Sequence, residues 1–302
     1  MDFHQTWAPI SPPQIVHFLY TLFLFTKSDI KTTVIPITCL AAASAPLSSI
    51  YRLPDVVFWI WLHLLQFDVA NQILNPKEDA LNKQDRPLPS NRISLSQAFI
   101  FRWLLIPVCG ALSLCYSVQT LYASITLVML TIIYNEWEAH SRHWFIRNIV
   151  NAAGFASFEV GATFVAGYNR HRLDEVAILS IAISAGIFAT TIHAQDFKDV
   201  EGDRAIGRRT IPIVLPSIAR YTILVALTLW SLGLAGVWKL GIFEATAFIS
   251  LGFLVGGRYI FCQSTVDADQ ISFYWYNVWL SAAHALPGYF RLLNVNNTPL
   301  CR

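Results

Sequence analysis

Charged residues are scarce in this sequence. Lysine, arginine, aspartate and glutamate make up 13% of its 302 residues, whereas a soluble domain carries about a quarter. No run of basic residues is present, which excludes the usual electrostatic footprint of a nucleic-acid-binding protein. The five cysteines are isolated and form no Cys-x-x-Cys pair, so neither a zinc site nor a redox motif is indicated.

Apolar residues dominate instead, at 55% of the chain with a mean hydropathy of +0.47. They form long blocks, several of them near the ~20 residues that cross a bilayer as a helix. We therefore predict an all-α polytopic membrane protein, one domain over residues 1–302, with an N-terminal interfacial segment (1–31) and a C-terminal tail (293–302). The nine predicted spans are Thr32–Ser49, Pro54–Leu74, Leu95–Tyr116, Gln119–Tyr134, Asn148–Gly167, Val176–Gln195, Ile218–Lys239, Ile242–Cys262 and Ser272–Leu292.

Two polar segments, Asn71–Asp85 and Asp196–Asp203, interrupt this pattern after the second and sixth spans. Four crossings separate them, so they emerge on the same face of the membrane and can meet. Thirteen lysines and arginines fall on that face and six on the other. The positive-inside rule then predicts that the polar segments face the cytosol, and we expect the protein in the endoplasmic reticulum membrane.

The first polar segment places several oxygen-bearing side chains on one helical face. Steps of three and four residues connect Asp68, Asn71, Gln72, Asn75, Glu78 and Asp79. Polar groups inside hydrocarbon normally face the helix bundle or a water-filled cavity. Their oxygen atoms suit a hard cation such as Mg²⁺. Lys83 and Arg86 follow and could pair with phosphate oxygens.

The second polar segment carries three carboxylates, Asp196, Asp199 and Asp203, at i, i+3 and i+7 on one helical face. Such a cluster repels itself unless a cation lies between its members. A metal ion relieves the repulsion, and a diphosphate can then bridge the metal and nearby cations. Either segment alone could be an ordinary solvated loop, but two on one face favour ligand binding.

These segments resemble the two motifs of the UbiA superfamily of intramembrane prenyltransferases. Asn71–Asp79 has the pattern Asn-x-x-x-Asn-x-x-x-Asp, and Arg86–Ser90 reads Arg-Pro-Leu-Pro-Ser. Asp196–Asp203 has the pattern Asp-x-x-Asp-x-x-x-Asp. The resemblance implies a nine-span all-α bundle with a central cavity in membrane lipid. It also implies Mg²⁺-dependent ionisation of a prenyl diphosphate, without nucleic acid or an obligate protein partner.

The sequence departs from the usual motif at Gln72 and Asn75, where aspartates are common. This form is similar to a fungal branch that includes membrane-bound sesquiterpene cyclases of the fumagillin type. The resemblance implies a catalytic, metal-binding set of Asn71, Asn75, Glu78, Asp79, Asp196, Asp199 and Asp203. The choice between Glu78 and Asp79 stays open. The expected diphosphate-binding residues are Lys83, Arg86, Lys198, Arg204 and Arg208.

The expected function is cyclisation of a prenyl diphosphate, with farnesyl diphosphate as substrate and a sesquiterpene of secondary metabolism as product. Transfer of the prenyl group to an aromatic or other acceptor is the alternative. A transporter would spread polar residues through several spans, whereas here the carboxylates concentrate at two helix ends. Aromatic side chains, which either stabilise a cation or only pack, occur in the spans at Phe58, Trp59, Trp61, Phe67, Trp103, Tyr134, Phe155, Phe158, Phe188 and Phe197.

Three further polar residues in or beside the spans are candidates. Glu159 lies in mid-span, where a carboxylate is a functional candidate by default. The alternatives are that it is protonated or paired with Arg102 or Arg258. His193 precedes the second polar segment by one turn and either assists proton loss or is structural. Asn151 could face the cavity.

Overall fold

The computed structural model describes residues 12–74, 76, 79, 83–263 and 265–295. Its helices are α1 (Pro12–Thr26), α2 (Ile35–Ser44), α3 (Leu53–Gln72), α4 (Leu95–Leu114), α5 (Val118–Asn135), α6 (Ala139–Arg142), α7 (Trp144–Ala166), α8 (Glu175–Thr191), α9 (Val200–Ala205), α10 (Ile211–Val214), α11 (Ala219–Val237), α12 (Ile242–Phe261) and α13 (Val266–Val295). A π-helical turn (Ile30–Val34) precedes α2, and α8 continues as a 3₁₀ helix (Ile192–Asp199). The described chain contains no β-strand, so the prediction of an all-α fold is confirmed.

The predicted number of nine crossings is not confirmed. Six helices in the described part are long and apolar enough to cross a membrane: α3, α4, α5, α7, α8 with its extension, and α11. The other three predicted spans are helical, but α2 with its π-helical turn is too short. Neither α12 nor α13 belongs to the six. Buried polar side chains such as Asn277 and His284 lower the hydropathy of α13.

The first predicted span also ends five residues early, at Ser44 instead of Ser49. Ala45 leaves the helical region with φ −73° and ψ 144°. Pro46 follows it, and proline disfavours the α conformation in the residue before it. The helix therefore ends where the local sequence requires.

Local capping signals set the beginnings of several helices. Ser94 and Gln97 form a reciprocal capping box at the start of α4, which satisfies two otherwise unpaired backbone N–H groups. Ser117 caps α5 and Asp174 caps α8, each accepting from the N–H three residues on. These caps fix the ends of the helices that surround the central space.

The long helices pack as a closed ring. Contacts run in order through α2, α3, α4, α5, α7, α8, α11, α12 and α13, and α13 packs back against α2. His284 Nδ1 on α13 donates to the Pro36 carbonyl at 3.0 Å, and Arg291 Nε donates to the Ser44 carbonyl at 3.0 Å. Between the helices lies a cavity that is lined by the π-helical turn, α3, α5, α7, the 3₁₀ extension of α8 and the polar segments beside them.

Candidate active site

One cavity holds most of the residues that the sequence singled out. It contains about 1190 Å³ of empty space, including its open mouth. Its polar wall consists of Asp29, Asp68, Asn71, Asp79, Lys83, Arg86, Arg147, Asn151, Gln195, Asp196, Asp199, Asp203 and Arg208, with Thr32, Thr33 and Thr131. Its apolar wall consists of Leu64, Phe67, Leu127, Leu130, Tyr134, Val150, Gly154, Phe155 and Phe158. Along α3 and α7 the charged residues lie toward one membrane face and the apolar ones deeper.

The second polar segment lies along the cavity wall, as its spacing predicted. Asp196, Asp199 and Asp203 all line the cavity. The first step is a 3₁₀ helix rather than an α-helix. Because a 3₁₀ helix has three residues per turn, Asp196 and Asp199 share one face. The chain becomes α-helical at Val200, and a step of four then brings Asp203 to the same wall.

Asp196 is engaged by an arginine that the sequence reading did not assign to the site. Arg147 donates from Nη1 and Nη2 to the two carboxylate oxygens, each at 2.7 Å. By sequence Arg147 is one of the thirteen loop cations, because the predicted fifth span begins one residue later, at Asn148. A charged residue at the edge of a span normally has a partner inside the bundle, and that signal could have identified it.

The other two carboxylates of this segment also have cationic partners. Lys198 lies 2.6 Å from Asp199, and Arg208 Nη1 lies 2.9 Å from Asp203. Arg208 lines the cavity, whereas Lys198 does not. Arg204 is exposed to solvent and lies outside the cavity wall. Of the cations expected on this side, Arg208 is therefore the one placed at the cavity.

The first polar segment contributes Asn71 and Asp79 to the cavity, while Asn75 and Glu78 lie outside the described residues. Asn71 Nδ2 donates to Asn135 Oδ1 at 3.1 Å, which orients the amide. Gln72 points away from the cavity, because its Nε2 donates to the Phe25 carbonyl at 2.8 Å.

A buried ion pair links Asp79 to the downstream cations. Arg86 Nη1 lies 2.6 Å from Asp79 Oδ1, and Arg86 Nη2 lies 3.7 Å from Asp29. Burial raises the pKa of Asp79, although the charges of Arg86 and Lys83 oppose that shift. Burial lowers the pKa of Lys83, and the neighbouring guanidinium of Arg86 lowers it further. The mouth of the cavity therefore combines desolvated carboxylates with desolvated cations.

The donor set suits Mg²⁺ through hard oxygen ligands. Within the described ranges, no three acidic, histidine or cysteine side chains are close enough to enclose a metal ion by themselves. Magnesium usually takes one or two carboxylates and completes its shell with water and substrate phosphate. Asp79 Oδ2, which has no hydrogen-bond partner among the described residues, fits that mode of binding.

The deeper wall of the cavity is aromatic. Four of the predicted aromatic residues line it: Phe67, Tyr134, Phe155 and Phe158. Phe155 is supported from behind by Phe188, with ring centroids 3.7 Å apart and planes 6° apart. Phe58 and Trp103 are 49% and 48% exposed on the outside of the bundle, so they belong to the surface that faces lipid.

The remaining polar candidates separate into one inside the cavity and two outside. Asn151 lines the cavity. His193 Nε2 instead bonds to Thr222 Oγ1 at 2.9 Å and is absent from the cavity wall. Glu159 is also behind the wall and accepts a hydrogen bond from Ser184 at 2.5 Å.

The structure contradicts a pairing of Glu159 with Arg102 or Arg258. Arg102 pairs with Glu136 instead, and no described ion pair joins Arg258 to Glu159. His284 Nε2 lies 3.9 Å from Glu159 Oε1 and 2.9 Å from Ser184 Oγ. Glu159 therefore belongs to a buried polar cluster that connects α7, α8 and α13.

The sequence of the chain is similar to those of a known protein family. Residues 33–279 match the UbiA prenyltransferase family. The chain is 35% identical over 282 residues to fumagillin beta-trans-bergamotene synthase of Aspergillus fumigatus, covering 92% of this chain and 94% of that protein. It is 26% identical to the polyprenyl transferase eriF of Hericium erinaceus, over 75% of this chain and 81% of that protein.

A solved structure shares the fold. A UbiA homologue from Archaeoglobus fulgidus, bound to GPP and Mg²⁺, superposes with a TM-score of 0.68 at 14% sequence identity, covering 89% of this chain and 98% of the homologue. The apolar helices and the family match together lead to one conclusion: the chain is an integral membrane protein and belongs to the UbiA prenyltransferase family.

Proposed function

We propose that this protein is an Mg²⁺-dependent membrane terpene cyclase that ionises farnesyl diphosphate and cyclises the resulting cation to a sesquiterpene. One observation carries the proposal: a single cavity joins a charged mouth to an aromatic and aliphatic interior. A prenyl diphosphate has the same division, with a highly charged head and an apolar tail. The terpene synthase from Aspergillus fumigatus, similar over nearly its whole length, supports this choice.

The proposed metal ligands lie on both sides of the mouth. Asn71 and Asp79 come from the first segment, with Asn75 and Glu78 as sequence candidates, and Asp199 and Asp203 come from the second. Magnesium bound there acts as a Lewis acid that stabilises negative charge on the departing diphosphate. The homologue from Archaeoglobus fulgidus with GPP and Mg²⁺ supports this cofactor.

The cations of the mouth are proposed to receive the diphosphate. Lys83, Arg86 and Arg208 line the cavity, and charge-assisted bonds to phosphate oxygens are among the stronger hydrogen bonds in proteins. Arg86 and Arg208 are held by Asp79 and Asp203. The two carboxylates keep these guanidinium groups at the cavity wall, where they would donate to the phosphate oxygens. Lys198 and Arg204 then have weaker roles than the sequence suggested.

Asp196 differs from the other carboxylates because both of its oxygens already bond to Arg147. We assign it the role of holding Arg147 toward the diphosphate rather than that of a metal ligand. Arg147 lines the cavity, and its bidentate partner fixes the plane of its guanidinium.

The interior of the cavity is proposed to protect the carbocation. Closely packed apolar side chains exclude water, which would otherwise capture the cation. The faces of Phe67, Phe155 and Phe158 offer cation–π stabilisation of about 0.5–2 kcal/mol each. The position of Phe155 is fixed by its stack on Phe188. The cation can therefore rearrange on a defined surface.

Prenyl transfer to an acceptor is the second candidate. The 26% identity to a polyprenyl transferase favours it, and ionisation would proceed in the same mouth. Prenyl transfer differs from cyclisation only in the fate of the cation. In either case we propose that the protein lies in the endoplasmic reticulum membrane. The loop charges favour a mouth that opens to the cytosol.

Incubation of protein-containing membranes with Mg²⁺ and geranyl, farnesyl or geranylgeranyl diphosphate, without acceptor, tests the proposal. The expected result is release of diphosphate and a cyclic hydrocarbon from the farnesyl substrate. Product formation only after an aromatic acceptor is added would overturn cyclisation and support transfer.

Metal-site variants provide a second test of the same proposal. Asp79→Ala and Asp199→Ala are expected to abolish turnover while the protein still inserts into membranes. Asp55→Ala is the matched control, because Asp55 lies at the opposite end of α3 in a partly exposed pair with Arg52. Undiminished turnover in both site variants would remove the proposed metal site.

A further inference from the structure

Several proton-accepting side chains are buried at depth among the helices, and the mechanism above uses none of them. They are His63, Asp68, Glu159, His193 and His284. A cyclase that ends in a hydrocarbon must give up a proton from its last carbocation. The position of each candidate relative to the cavity decides which one can receive that proton.

The three histidines bond to the protein framework away from the cavity. His63 Nδ1 donates to the Trp59 carbonyl at 2.8 Å, and its Nε2 bonds to Ser124 at 2.8 Å. His193 bonds to Thr222, and His284 donates to the Pro36 carbonyl. All three lie outside the cavity wall. They are structural in this arrangement.

Glu159 is likewise separated from the cavity. It accepts from Ser184 in the cluster with His284. The Phe155–Phe188 stack lies between that cluster and the open space, since Phe155 lines the cavity and the ring centroid of Phe188 is 6.0 Å from that of His284. A carbocation in the cavity therefore cannot touch the Glu159 carboxylate.

Asp68 is the candidate that lines the cavity. It is 3% exposed, and its Oδ2 has no hydrogen-bond partner within the part of the chain that the structure describes. Among the described residues it forms no ion pair within 4.0 Å, in contrast to Asp79, Asp196, Asp199 and Asp203. The charges of Asp29 and Arg86 act on the Asp68 carboxylate, but Arg86 does not form an ion pair with it.

The position of Asp68 along α3 is also informative. Leu64 and Phe67 precede it on the cavity wall, and Asn71 follows it one turn nearer the mouth. Asp68 therefore lies at the boundary between the apolar interior and the diphosphate-binding mouth. An unpaired buried carboxylate is costly, and such a residue within a membrane span is typically functional.

We propose that Asp68 accepts the proton that terminates the cyclisation, an inference that rests on the proposed cyclase function. A C–H bond on the carbon beside the cationic centre breaks, and its electron pair becomes the new C=C bond. The proton goes to the Asp68 carboxylate, and the protonated carboxyl later returns it to water through the mouth. Mass and charge balance without any further reactant.

Variants of Asp68 test this role, with two measurements on each. Purified protein in nanodiscs receives farnesyl diphosphate and Mg²⁺, and both diphosphate release and product composition are recorded. Asp68→Asn should keep diphosphate release within about tenfold of wild type, because ionisation takes place at the mouth. The ratio of hydrocarbon to alcohol products should fall at least tenfold, one order of magnitude being about 1.4 kcal/mol. Asp68→Glu should restore hydrocarbon formation.

Two further variants keep the test decisive. Asp68→Ser also removes the carboxylate without adding volume. It is made in case the Asp68→Asn variant does not fold. Glu159→Gln is the matched control, a buried carboxyl behind the aromatic wall, and should leave the product ratio unchanged.

Three results would overturn the inference. The first is a wild-type product ratio in Asp68→Asn and Asp68→Ser. The second is loss of diphosphate release in folded Asp68→Asn and Asp68→Glu, because that places Asp68 in ionisation. The third is an absence of hydrocarbon from the wild-type protein itself, which also overturns the cyclase function. The first two results leave that function intact.

Discussion

Arg147 and Asp196 form a bidentate ion pair with both N–O distances at 2.7 Å, and their side chains are 6% and 2% exposed. The pair joins the first turn of α7 to the 3₁₀ extension of α8. It therefore joins two elements of the cavity wall and fixes the plane of the Arg147 guanidinium there.

Breaking this pair from one side should destabilise the protein. Arg147→Met leaves a buried carboxylate without its partner, which costs about 3–5 kcal/mol. The double variant Arg147→Met/Asp196→Leu should regain most of that stability, because both charges are gone. Thermal unfolding in detergent measures the coupling. Additive losses in the double variant would contradict it. Diphosphate turnover should stay low in both variants.

Replacing Phe155 should slow the reaction without unfolding the protein. Phe155→Leu keeps the side chain apolar but removes an aromatic face from the cavity wall. The loss of cation–π stabilisation, about 0.5–2 kcal/mol, predicts roughly 2- to 30-fold slower turnover. Phe58→Leu, on the lipid-facing surface, is the control and should be neutral. Equal effects of the two substitutions on turnover would contradict a role for the Phe155 ring.

Binding of inorganic diphosphate should weaken as the pH rises through the pKa of Lys83. Burial and the Arg86 charge lower that pKa below the usual 10.5 of lysine, so the side chain becomes neutral earlier than a free lysine. The protonated form binds the anion, which places the stronger binding on the acidic side of this pKa. Loss of one charge-assisted bond, about 1.5–3 kcal/mol, predicts roughly 10- to 150-fold weaker binding.

Lys83→Arg separates this effect from the ionisation of diphosphate itself. Arginine remains charged over the whole range, so the Lys83-dependent part of the decline should disappear from the calorimetric titrations. A decline of unchanged size and midpoint in Lys83→Arg would show that Lys83 does not cause it.

Adding a methyl group at Gly161 should destabilise the bundle. A Cβ there would overlap the ring of Trp59, which is fully buried and donates through Nε1 to Ser113 at 2.9 Å. Overpacking of this kind costs about 1–3 kcal/mol. Gly233→Ala is the control, because its Cβ would have no neighbour within 4 Å. It should be neutral or stabilising by up to about 1 kcal/mol.

The sequence predicts the course of the helices well because bilayer thickness limits their length. The ends of α4, α5 and α11 follow from apolar blocks bounded by polar residues. The meeting of the two carboxylate segments could also be predicted, since it depends only on an even number of crossings. The early end of α2 was predictable too, because Pro46 follows directly after Ala45.

Side-chain partners were harder to predict because they depend on how distant helices pack. Glu159 meets Ser184 and His284, which lie 25 and 125 positions further along the chain. Arg147 meets Asp196, and neither the spacing nor the local sequence connects them. The 3₁₀ geometry that aligns Asp196 with Asp199 is also set by tertiary context, since the same spacing suits an α-helix.

The contact between α2 and α13 has a consequence for biogenesis. Within the described part of the chain, α2 precedes most helices of the ring, and α13, which packs against it, follows all of them. Until Val266–Val295 has left the ribosome and reached the bundle, the side of α2 that packs against α13 stays uncovered, and His284 is not available to Pro36. Earlier helices can enter the membrane in order, but the described ring of helices closes only when α13 packs against α2.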